Sequence, residues 1–317
     1  MKIAFLADPL DSFKIYKDST YAMMMEAAAR GHTVYAFEQR DMFWHNGTVS
    51  ARVQQLALQP GQDAWYSVSA QSELALQTLD AIVMRKDPPF DMEYLYGLHL
   101  LELAARQGAK VFNDPAAVRA HNEKITIAQF AQFTAPTLIS SDMARLRAFH
   151  QEQGDVIFKP LDGMGGAGIF RVAADGLNLG SVLENLTLQG RHTIMAQRYL
   201  PAIKDGDKRI LLIGGKVVPF ALARIPQGGE VRGNLAAGGR GEARELSARD
   251  REIAETLAPQ LAARGLLLVG LDVIGDNLTE VNVTSPTCFQ EITKQTGFNV
   301  AAMFIDALQA AVQKEAI

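Results

Sequence analysis

The sequence of 317 residues contains a single cysteine, Cys288, and this scarcity excludes an intrachain disulfide or a multi-cysteine zinc cluster. No histidine lies near Cys288 in the sequence, so we interpret it as a packing residue rather than a nucleophile. The sequence also lacks a run of like charges, and its net charge is −4. This charge pattern is not typical of nucleic-acid or membrane-surface binding, and we expect neither partner.

Long apolar runs are absent as well. No stretch approaches the length of a transmembrane helix. The apolar run after Met1 is stopped by Asp8 and Pro9, which makes it too short for a signal peptide. Because the chain has one cysteine and neither kind of apolar segment, we expect a cytoplasmic protein.

The remaining composition is ordinary for a globular protein, with 48% hydrophobic and 21% charged residues. A chain of this length buries a large core and typically forms about two domains. Up to residue 112, short apolar segments alternate with helical ones, which predicts a parallel α/β layer. Residues 43–78 break this alternation, and we interpret them as an insertion with a small hairpin and a loop. A pattern rich in strands begins near residue 122 and predicts an α+β region with an antiparallel sheet, so we place a domain boundary at residue 121.

Residues 268–287 contain a pair of predicted strands that suggests a metal site. A three-residue Gly-Asp-Asn turn centred on Asp276 places Asp272 opposite Glu280, and Asn282 shares their face because side chains alternate along a strand. Two opposed carboxylates repel each other unless a cation lies between them. Carboxylate and amide oxygens suit Mg²⁺, which completes its shell with water and phosphate oxygens. The alternative is a hairpin with a solvated polar face, since short motifs also occur without a ligand.

A glycine-rich loop follows the strand that ends near Lys159. Gly163, Gly165 and Gly168 have G-x-G-x-x-G spacing, but the next residues are β-branched and aromatic. They predict a strand where a dinucleotide-binding fold needs a helix, which disfavours a dinucleotide oxidoreductase. A strand, a glycine loop and a second strand suit a flap whose backbone N–H groups cover phosphates, and Lys159 could reach those phosphates. The alternatives are a flexible hairpin and a solvated surface lysine.

Arginines lie near both segments. Arg209 and Arg224 are on neighbouring predicted strands, where they would suit stabilisation of transferring phosphoryl charge. Arg85 follows a parallel strand, a position where α/β layers bind ligands, although a surface charge near a turn explains it equally well. Residues 226–241 contain six glycines and few apolar anchors, so they form either a lid that closes over a ligand or a disordered linker. Arg232 in this segment favours an anionic ligand.

The sequence resembles the bacterial glutathione synthetases, a family of ATP-grasp ligases, from its first strand to its last helix. The resemblance is most specific in residues 84–90, 159–166, 199–209, 223–229 and 278–287. It implies an N-terminal parallel-sheet α/β domain followed by a two-subdomain ATP-grasp fold. The implied ranges are 1–121 for the N-terminal domain, 122–200 for the subdomain with the glycine flap, and 201–317 for the subdomain with the metal site and the lid.

The resemblance also implies a reaction and a set of residue roles. ATP would drive the joining of the cysteinyl carboxylate of γ-glutamylcysteine to glycine through an acyl phosphate, which gives glutathione, ADP and phosphate. Family members are typically homotetramers that use Mg²⁺, and Mn²⁺ could replace it. The implied ATP-binding residues are Lys124, Lys159, Gly163, Gly165, Gly166, Gln197, Tyr199, Leu200 and Asp207. The implied catalytic residues are Arg209 and Arg224, the metal ligands are Asp272, Glu280 and Asn282, and the residues near the peptide substrate are Arg85, Asn282, Ser285, Thr287 and Arg232.

The residues alone lead only to an enzyme that handles Mg²⁺ and phosphate with a flap and a lid. Another ATP-grasp carboxylate–amine ligase, which joins D-amino acids or adds glutamate to a peptide, would fit the same pattern. A module that binds ATP without turnover is a further alternative. The complete set of two acids, one asparagine and two arginines favours turnover.

Overall fold

The computed structural model describes residues 1–61, 64–228, 232–233, 235 and 238–314. The strands in this part of the chain form three sheets. The first sheet ends at residue 112, the second spans 137–198, and the third spans 207–282. Within the same residues, every helix falls short of the length and apolar character that a membrane crossing requires.

The N-terminal sheet is built from strands that alternate with helices. In chain order its elements are β1 (Lys2–Leu6), α1 (Ser19–Ala29), β2 (Thr33–Phe37), β3 (Met42–His45), β4 (Thr48–Leu58), β5 (Tyr66–Ala75), β6 (Ala81–Met84), α2 (Met92–Arg106), β7 (Val111–Phe112) and α3 (Pro115–Ala120). Strands β2, β1, β6 and β7 are neighbours in that order and run parallel, as the alternation predicts. Helix α1 begins at Asp18 because its carboxylate accepts the Tyr21 backbone N–H.

Residues 43–78 contain a hairpin, as expected, but the expected loop is wrong because a third strand takes its place. They supply β3, β4 and β5, which extend the same sheet with antiparallel pairing beyond β2. Strand β5 is exposed along most of its length, so its sequence lacks the apolar alternation by which a strand is predicted.

The second sheet is antiparallel throughout, in the order β10-β9-β11-β8. A 3-10 helical segment over Ile125–Phe133, interrupted at Phe130, precedes it. The elements in chain order are β8 (Thr137–Ser140), α4 (Met143–Gln153), β9 (Val156–Pro160), β10 (Phe170–Val172), α5 (Leu179–Thr187) and β11 (Ile194–Arg198). Strands β9 and β10 flank the glycine loop, so the prediction of strand, loop and strand is confirmed.

The third sheet is also antiparallel, in the order β14-β13-β12-β15-β16. Its elements and the remaining helices are β12 (Asp207–Ile213), β13 (Lys216–Ile225), β14 (Arg240–Glu245), α6 (Ala248–Ala262), β15 (Leu268–Ile274), β16 (Asn277–Asn282), α7 (Phe289–Thr296) and α8 (Val300–Lys314). Helix α6 begins with a capping box between Ser247 and Asp250. The Asp250 carboxylate also accepts from Lys208 of β12, which anchors the helix to the sheet.

One side chain just after the N-terminal sheet, that of Asn113, hydrogen-bonds the β15–β16 hairpin region directly. The Asn113 amide donates to the carbonyls of Leu268 and Val283, at 2.7 and 2.8 Å, and its oxygen accepts the Leu268 N–H at 2.8 Å. Asn113 follows β7, so the carboxyl edge of the parallel strands meets the β15–β16 hairpin. Arg30, the C-cap residue of α1, pairs with Asp306 of α8. The hydrogen bonds of Asn113 bring the end of the parallel sheet to the hairpin that contains the predicted metal ligands.

Candidate active site

The β15–β16 hairpin places Asp272 opposite Glu280, as the sequence predicts. The turn between the strands has two residues, Gly275 and Asp276, so the expected three-residue loop is wrong. Gly275 has a φ of +57°, which suits the first position of a two-residue hairpin turn. A bulge at Thr279 adds one residue to β16 and restores the register that a three-residue turn would have produced.

The two faces of this hairpin have opposite character. Leu271, Val273 and Val281 on one face are fully buried in the core. Asn282 lies on the other face with the two acids, and its Nδ2 donates to the Gly270 carbonyl at 3.1 Å. This orientation leaves the Asn282 Oδ1 available as an acceptor. The polar face therefore presents oxygen atoms to the space beside the sheet.

That space is a cavity of about 420 Å³. Its lining comes from the second sheet with the glycine loop, from the third sheet, and from loops of the N-terminal domain. It brings together the predicted site residues Lys124, Lys159, Gly163, Gly165, Gly166, Gln197, Tyr199, Leu200, Asp207, Arg209, Arg224, Arg232, Asp272, Glu280, Asn282, Ser285 and Thr287. Residues that are up to 163 positions apart in sequence (Lys124 to Thr287) thus share one concave surface, which is the usual form of a small-molecule site.

Two arginines and two aspartates form a buried ion-pair network in one wall of the cavity. The Arg209 Nε lies 2.6 Å from Asp272 Oδ1, and the Arg224 Nη2 lies 2.9 Å from Asp272 Oδ2 and 2.5 Å from Asp207 Oδ2. Strand pairing sets this geometry, because Arg209 is opposite Asp272 and Asp207 is opposite Arg224. The network holds two guanidinium groups in fixed positions at the cavity surface.

The same network separates the pKa values of its carboxyl groups. Burial alone would raise the pKa of Asp272, but the Arg209 and Arg224 guanidinium groups hold it well below its usual value. Burial raises the pKa of Asp207 to about 7, although Arg224 opposes this shift. The Asp207 Oδ1 is buried without a hydrogen-bond partner in the described part of the chain. Asp272 is therefore the fixed negative charge of this wall.

Two buried lysines connect the glycine loop with the hairpin. The Lys124 Nζ donates to the Gly163 carbonyl at 2.7 Å and lies 3.3 Å from Glu280 Oε1. The Lys159 Nζ donates to the Thr279 carbonyl at 3.4 Å. Burial lowers the pKa of Lys159, and the Glu280 carboxylate opposes that shift. Both ammonium groups consequently lie between the loop and the acidic pair, where phosphate oxygens would complete their coordination.

The opposite rim of the cavity has an apolar and aromatic character. Tyr199 lies beneath the guanidinium of Arg171, whose Cζ is 3.8 Å from the ring centroid. Gln197 at the end of β11 is buried, and its Nε2 donates to the Thr137 hydroxyl at 3.0 Å. Leu200 adds an aliphatic surface next to them. These residues can accommodate a planar heterocycle.

Arg85 is the exception among the predicted site residues, because it does not line the cavity. It is 4% exposed, and its guanidinium donates to the Thr20 hydroxyl and the Pro286 carbonyl, each at 3.0 Å. Arg85 thus supports the segment 285–287 from behind. The Ser285 hydroxyl in that segment donates to Asp87 Oδ1 at 2.5 Å.

The predicted lid is only partly described by the structure. Residues 229–231, 234 and 236–237 of the segment 226–241 lie outside the described residues. Residues 240–241 belong to β14, so the end of the segment is part of the third sheet and not of a lid. The Arg232 Nη1 donates to the Gly166 carbonyl at 3.4 Å, and this contact joins the segment to the glycine loop.

Several cavity residues were not predicted. Glu123 accepts the backbone N–H groups of Val283 and Thr284, at 2.9 and 3.1 Å, and it fixes the chain after β16. Asp18 and Glu291 also line the cavity, far apart in sequence. Asp18 precedes a predicted helix, so the sequence indicates a helix cap, and the structure shows that Asp18 is the N-cap of α1. Nothing else in the sequence around Asp18 indicates a binding site.

The donor set on the hairpin fits a hard divalent cation only when other oxygen ligands are present. In the described residues, no group of three or more His, Cys, Asp or Glu side chains could hold a metal ion. Asp272, Glu280 and the free Oδ1 of Asn282 would supply the protein oxygens. Mg²⁺ commonly binds through one or two carboxylates and completes its shell with phosphates and water, so a set of this size suits a metal bound together with a nucleotide.

Two sheets of antiparallel strands enclose one cavity, with a glycine loop on one side and paired acids and arginines on the other. This arrangement defines a ligase of the ATP-grasp class. Solved structures support this fold. D-cycloserine synthetase DcsG is similar with a TM-score of 0.68 and 16% identity, covering 98% of this chain and 99% of that one. The ATP-grasp ligase PsnB, complexed with minimal precursor, Mg and ADP, is similar with a TM-score of 0.62 and 20% identity, covering 98% of each chain.

Sequence relatives give the family. The family described as prokaryotic glutathione synthetase, N-terminal domain, matches residues 1–119, and the corresponding ATP-grasp domain matches residues 123–297. The glutathione synthetase of Ralstonia nicotianae is 65% identical over 99% of this chain and 97% of its own length. The glutathione synthetase of Citrobacter rodentium is 49% identical over 99% of this chain and 100% of its own. The chain belongs to the prokaryotic glutathione synthetase family, and ATP-dependent ligation producing glutathione is the activity that this membership supports.

Proposed function

We propose that the chain activates the cysteinyl carboxylate of γ-glutamylcysteine as an acyl phosphate and transfers the acyl group to glycine. One observation supports this most strongly. The paired acids Asp272 and Glu280 share a cavity wall with Arg209 and Arg224, and the wall faces a glycine loop with two buried lysines. Positioning and fixed positive charge are what phosphoryl transfer requires of a protein.

In the first step, a carboxylate oxygen of γ-glutamylcysteine attacks the γ-phosphorus of ATP, and the bond from that phosphorus to the ADP oxygen breaks. Arg209 and Arg224 would donate to the equatorial phosphoryl oxygens as charge develops on them. Their ion pairs with Asp272 keep both guanidinium groups in place before the substrates bind, so little reorganisation is needed.

In the second step, the glycine nitrogen attacks the acyl carbon, the bond from that carbon to the phosphate oxygen breaks, and the nitrogen loses a proton. The products are glutathione and inorganic phosphate. Lys124 and Lys159 would hold the nucleotide phosphates, together with the backbone of Gly163, Gly165 and Gly166. Closure of the predicted lid segment before β14, whose Arg232 contacts the Gly166 carbonyl of the glycine loop, would keep water from the acyl phosphate.

The remaining ligand roles are those that the resemblance to the family implies, and the positions of these residues on the cavity lining support them. Gln197, Tyr199 and Leu200 would bind adenine, and Asp207 would face the ribose. Ser285, Thr287 and Asn282 would contact the dipeptide, whereas Arg85 would act indirectly through the Pro286 carbonyl.

For the metal, we propose Mg²⁺, with Mn²⁺ as a functional substitute, held by Asp272, Glu280 and Asn282. Bound there with ATP, the ion would neutralise phosphate charge. Ligases of the ATP-grasp family use ATP with a divalent metal. Titration of the protein with Mn²⁺, followed by electron paramagnetic resonance in the presence of a non-hydrolysable ATP analogue, should give weaker binding for Glu280→Gln than for the parent protein.

Isotope transfer tests the acyl-phosphate route. γ-Glutamylcysteine labelled with ¹⁸O in its cysteinyl carboxylate is incubated with glycine, ATP and Mg²⁺, and the released phosphate is analysed by mass spectrometry. One labelled oxygen should enter phosphate for each glutathione formed, because the oxygen that attacks phosphorus leaves with it. Unlabelled phosphate alongside glutathione would contradict the route. A panel of other dipeptides and amines, followed by ADP release, provides the specificity control.

We also propose a homotetrameric assembly and a cytoplasmic location, both because of the resemblance to the family. Light scattering during size-exclusion chromatography should give four times the 34.5 kDa mass of the chain. A mass equal to one or two chains would contradict the tetramer.

A further inference from the structure

One end of the cavity is formed by two helix starts that the catalytic roles above do not use. Asp18 is the N-cap residue of α1, and Glu291 lies in the first turn of α7. The Gln290 side chain holds these starts together, because its Nε2 donates to the carbonyls of Ile15 and Asp18, at 2.7 and 2.6 Å. The cavity lining here includes Lys17, Asp18 and Glu291, next to Ser285 and Thr287.

Glu291 has an unmet electrostatic requirement. Its Oε2 is buried and has no hydrogen-bond partner among the residues that the structure describes. Burial raises the pKa of Glu291, the Asp18 carboxylate raises it further, and Lys17 and Lys294 oppose the shift. A buried carboxylate that is only partly compensated is costly when ionised, so a cationic ligand group beside Glu291 in the cavity would be favoured.

Asp18 also has capacity for a ligand. Its Oδ1 accepts the Tyr21 backbone N–H at 2.8 Å. A carboxylate has about four acceptor positions, so this cap leaves acceptor positions available. Burial raises the pKa of Asp18, which again indicates a negative charge that the protein only partly compensates.

The dipeptide has a matching chemical group. Its cysteinyl carboxylate must lie near Arg209 and Arg224 in order to react, so its other end extends away from the nucleotide. That end is a free amino acid head with an α-ammonium and an α-carboxylate group. The mixed charge of Lys17, Asp18 and Glu291 is complementary to a zwitterion, whereas a binding site for a metal ion would not include a lysine.

We propose that Asp18 and Glu291 bind the α-ammonium group of the γ-glutamyl residue, and that Lys17 binds its α-carboxylate. This subsite rests on the proposed function, since it assumes γ-glutamylcysteine as the acyl donor. It explains how the enzyme distinguishes a γ-glutamyl dipeptide from other acylated cysteines. The ammonium group would bind to the ionised forms of the two carboxylates. Because this contact lies at the far end of the dipeptide from the reacting carboxylate, it would set the specificity for the acyl donor.

Two substrate analogues isolate the two charges. Glutarylcysteine lacks only the α-ammonium group, and 4-aminobutyrylcysteine lacks only the α-carboxylate. The parent protein should have a higher kcat/KM for γ-glutamylcysteine than for either analogue. Glu291→Gln should lower kcat/KM for γ-glutamylcysteine roughly ten- to a hundredfold, and change that for glutarylcysteine by about twofold or less, because a hydrogen bond to a charged group is lost only with the first substrate.

Asp18→Asn provides the second variant, since asparagine also caps helices and removes only the charge. It should shift the substrate ratio in the same direction even if Glu291→Gln fails to fold. Glu255→Gln, at an exposed position on α6 away from the cavity, is the matched control. It should leave kcat/KM unchanged for both substrates. An equal loss with both substrates, or no loss with γ-glutamylcysteine, would overturn the ammonium assignment.

Lys17 is tested against its neighbour. Lys17→Gln should reduce the preference for γ-glutamylcysteine over 4-aminobutyrylcysteine roughly three- to tenfold, because the side chain is only partly buried. Lys14, which is exposed but also lines the cavity, is the comparison. If Lys14→Gln rather than Lys17→Gln removes the preference, the assignment to Lys17 is wrong. Failure of the parent protein to form glutathione from γ-glutamylcysteine would overturn the proposed function, whereas normal glutathione formation with unchanged substrate ratios in the variants would overturn only the subsite.

Discussion

The wall of the cavity formed by β12, β13, β15 and β16 differs from the wall formed by β9, the glycine loop and β11. The first presents buried charged side chains, with Arg209, Arg224 and Asp272 held by ion pairs of 2.6 and 2.9 Å. The second presents mainly glycine backbone, with Lys159 at its base. The first wall therefore holds fixed charges before the substrates bind, and the glycine loop of the second wall would enclose the phosphates. We expect substitutions in the first wall to lower kcat and substitutions in the second to raise the KM for ATP.

The largest effect is expected for Glu280→Gln. The variant removes one charge at the proposed metal site and leaves the core face of the hairpin unchanged, so kcat should fall on the order of a hundredfold or more. ADP release at saturating ATP and dipeptide, over a range of Mg²⁺ concentrations, is the measurement. Near-normal turnover by folded protein at limiting Mg²⁺ would show that the hairpin is not the metal site.

Arg224→Lys tests whether the first wall acts through geometry as well as charge. Lysine keeps the charge but cannot contact Asp207 and Asp272 with the planar fork of arginine, so kcat should fall about ten- to a hundredfold. Thermal unfolding should also occur at a lower temperature, because two buried carboxylates lose part of their compensation. An unchanged kcat, with the KM for ATP raised instead, would erase the contrast between the two walls.

A smaller effect is expected for Gly168→Ala in the second wall. Gly168 has a φ of +71°, and an added Cβ would lie 3.1 Å from the Pro160 side chain. The loop should shift, which should raise the KM for ATP about three- to tenfold with little change in kcat. Gly47→Ala is the matched control, because Gly47 has a φ of +84° in a turn with no atom within 4 Å of its Cβ. Equal kinetic effects of the two variants would remove the loop from ATP binding.

Cys288→Ala should have the smallest effect. Cys288 is 1% exposed, and burial raises the pKa of its thiol, although Arg209 and Arg224 oppose this. The thiolate is consequently scarce at neutral pH, so kcat should stay within about twofold of the parent value, and alkylation by iodoacetamide at pH 8 should be slow. Loss of the small side chain should cost about 1 kcal/mol of unfolding free energy. Rapid alkylation with loss of activity would assign the thiol to the reaction.

The walls also differ in how far they can be predicted from sequence. The hairpin with Asp272 and Glu280 is predictable because side-chain alternation and turn chemistry act within about ten residues. The turn length was wrong, yet the bulge at Thr279 compensated for it. The glycine loop is predictable for the same reason, since the residues on either side read as strands.

Long-range relations could not be predicted from local patterns. Asp18 and Glu291 meet through Gln290, across more than 270 positions, and no local pattern reports that contact. Arg85 follows a parallel strand as predicted, but its burial against Pro286 depends on how the N-terminal sheet meets the third sheet. The strand β5 was missed because an exposed strand needs no apolar alternation.

The double variant Arg224→Lys/Glu280→Gln tests most directly whether the charged wall works as one unit. Residues that act together give strongly non-additive losses, whereas independent residues give losses that multiply. Single-turnover ADP formation, measured by rapid quench for the parent, the two single variants and the double variant, separates chemistry from product release. We predict that the double variant is slower than Glu280→Gln by about threefold or less. A rate reduced by the full product of the two single losses would contradict a preset, cooperative wall.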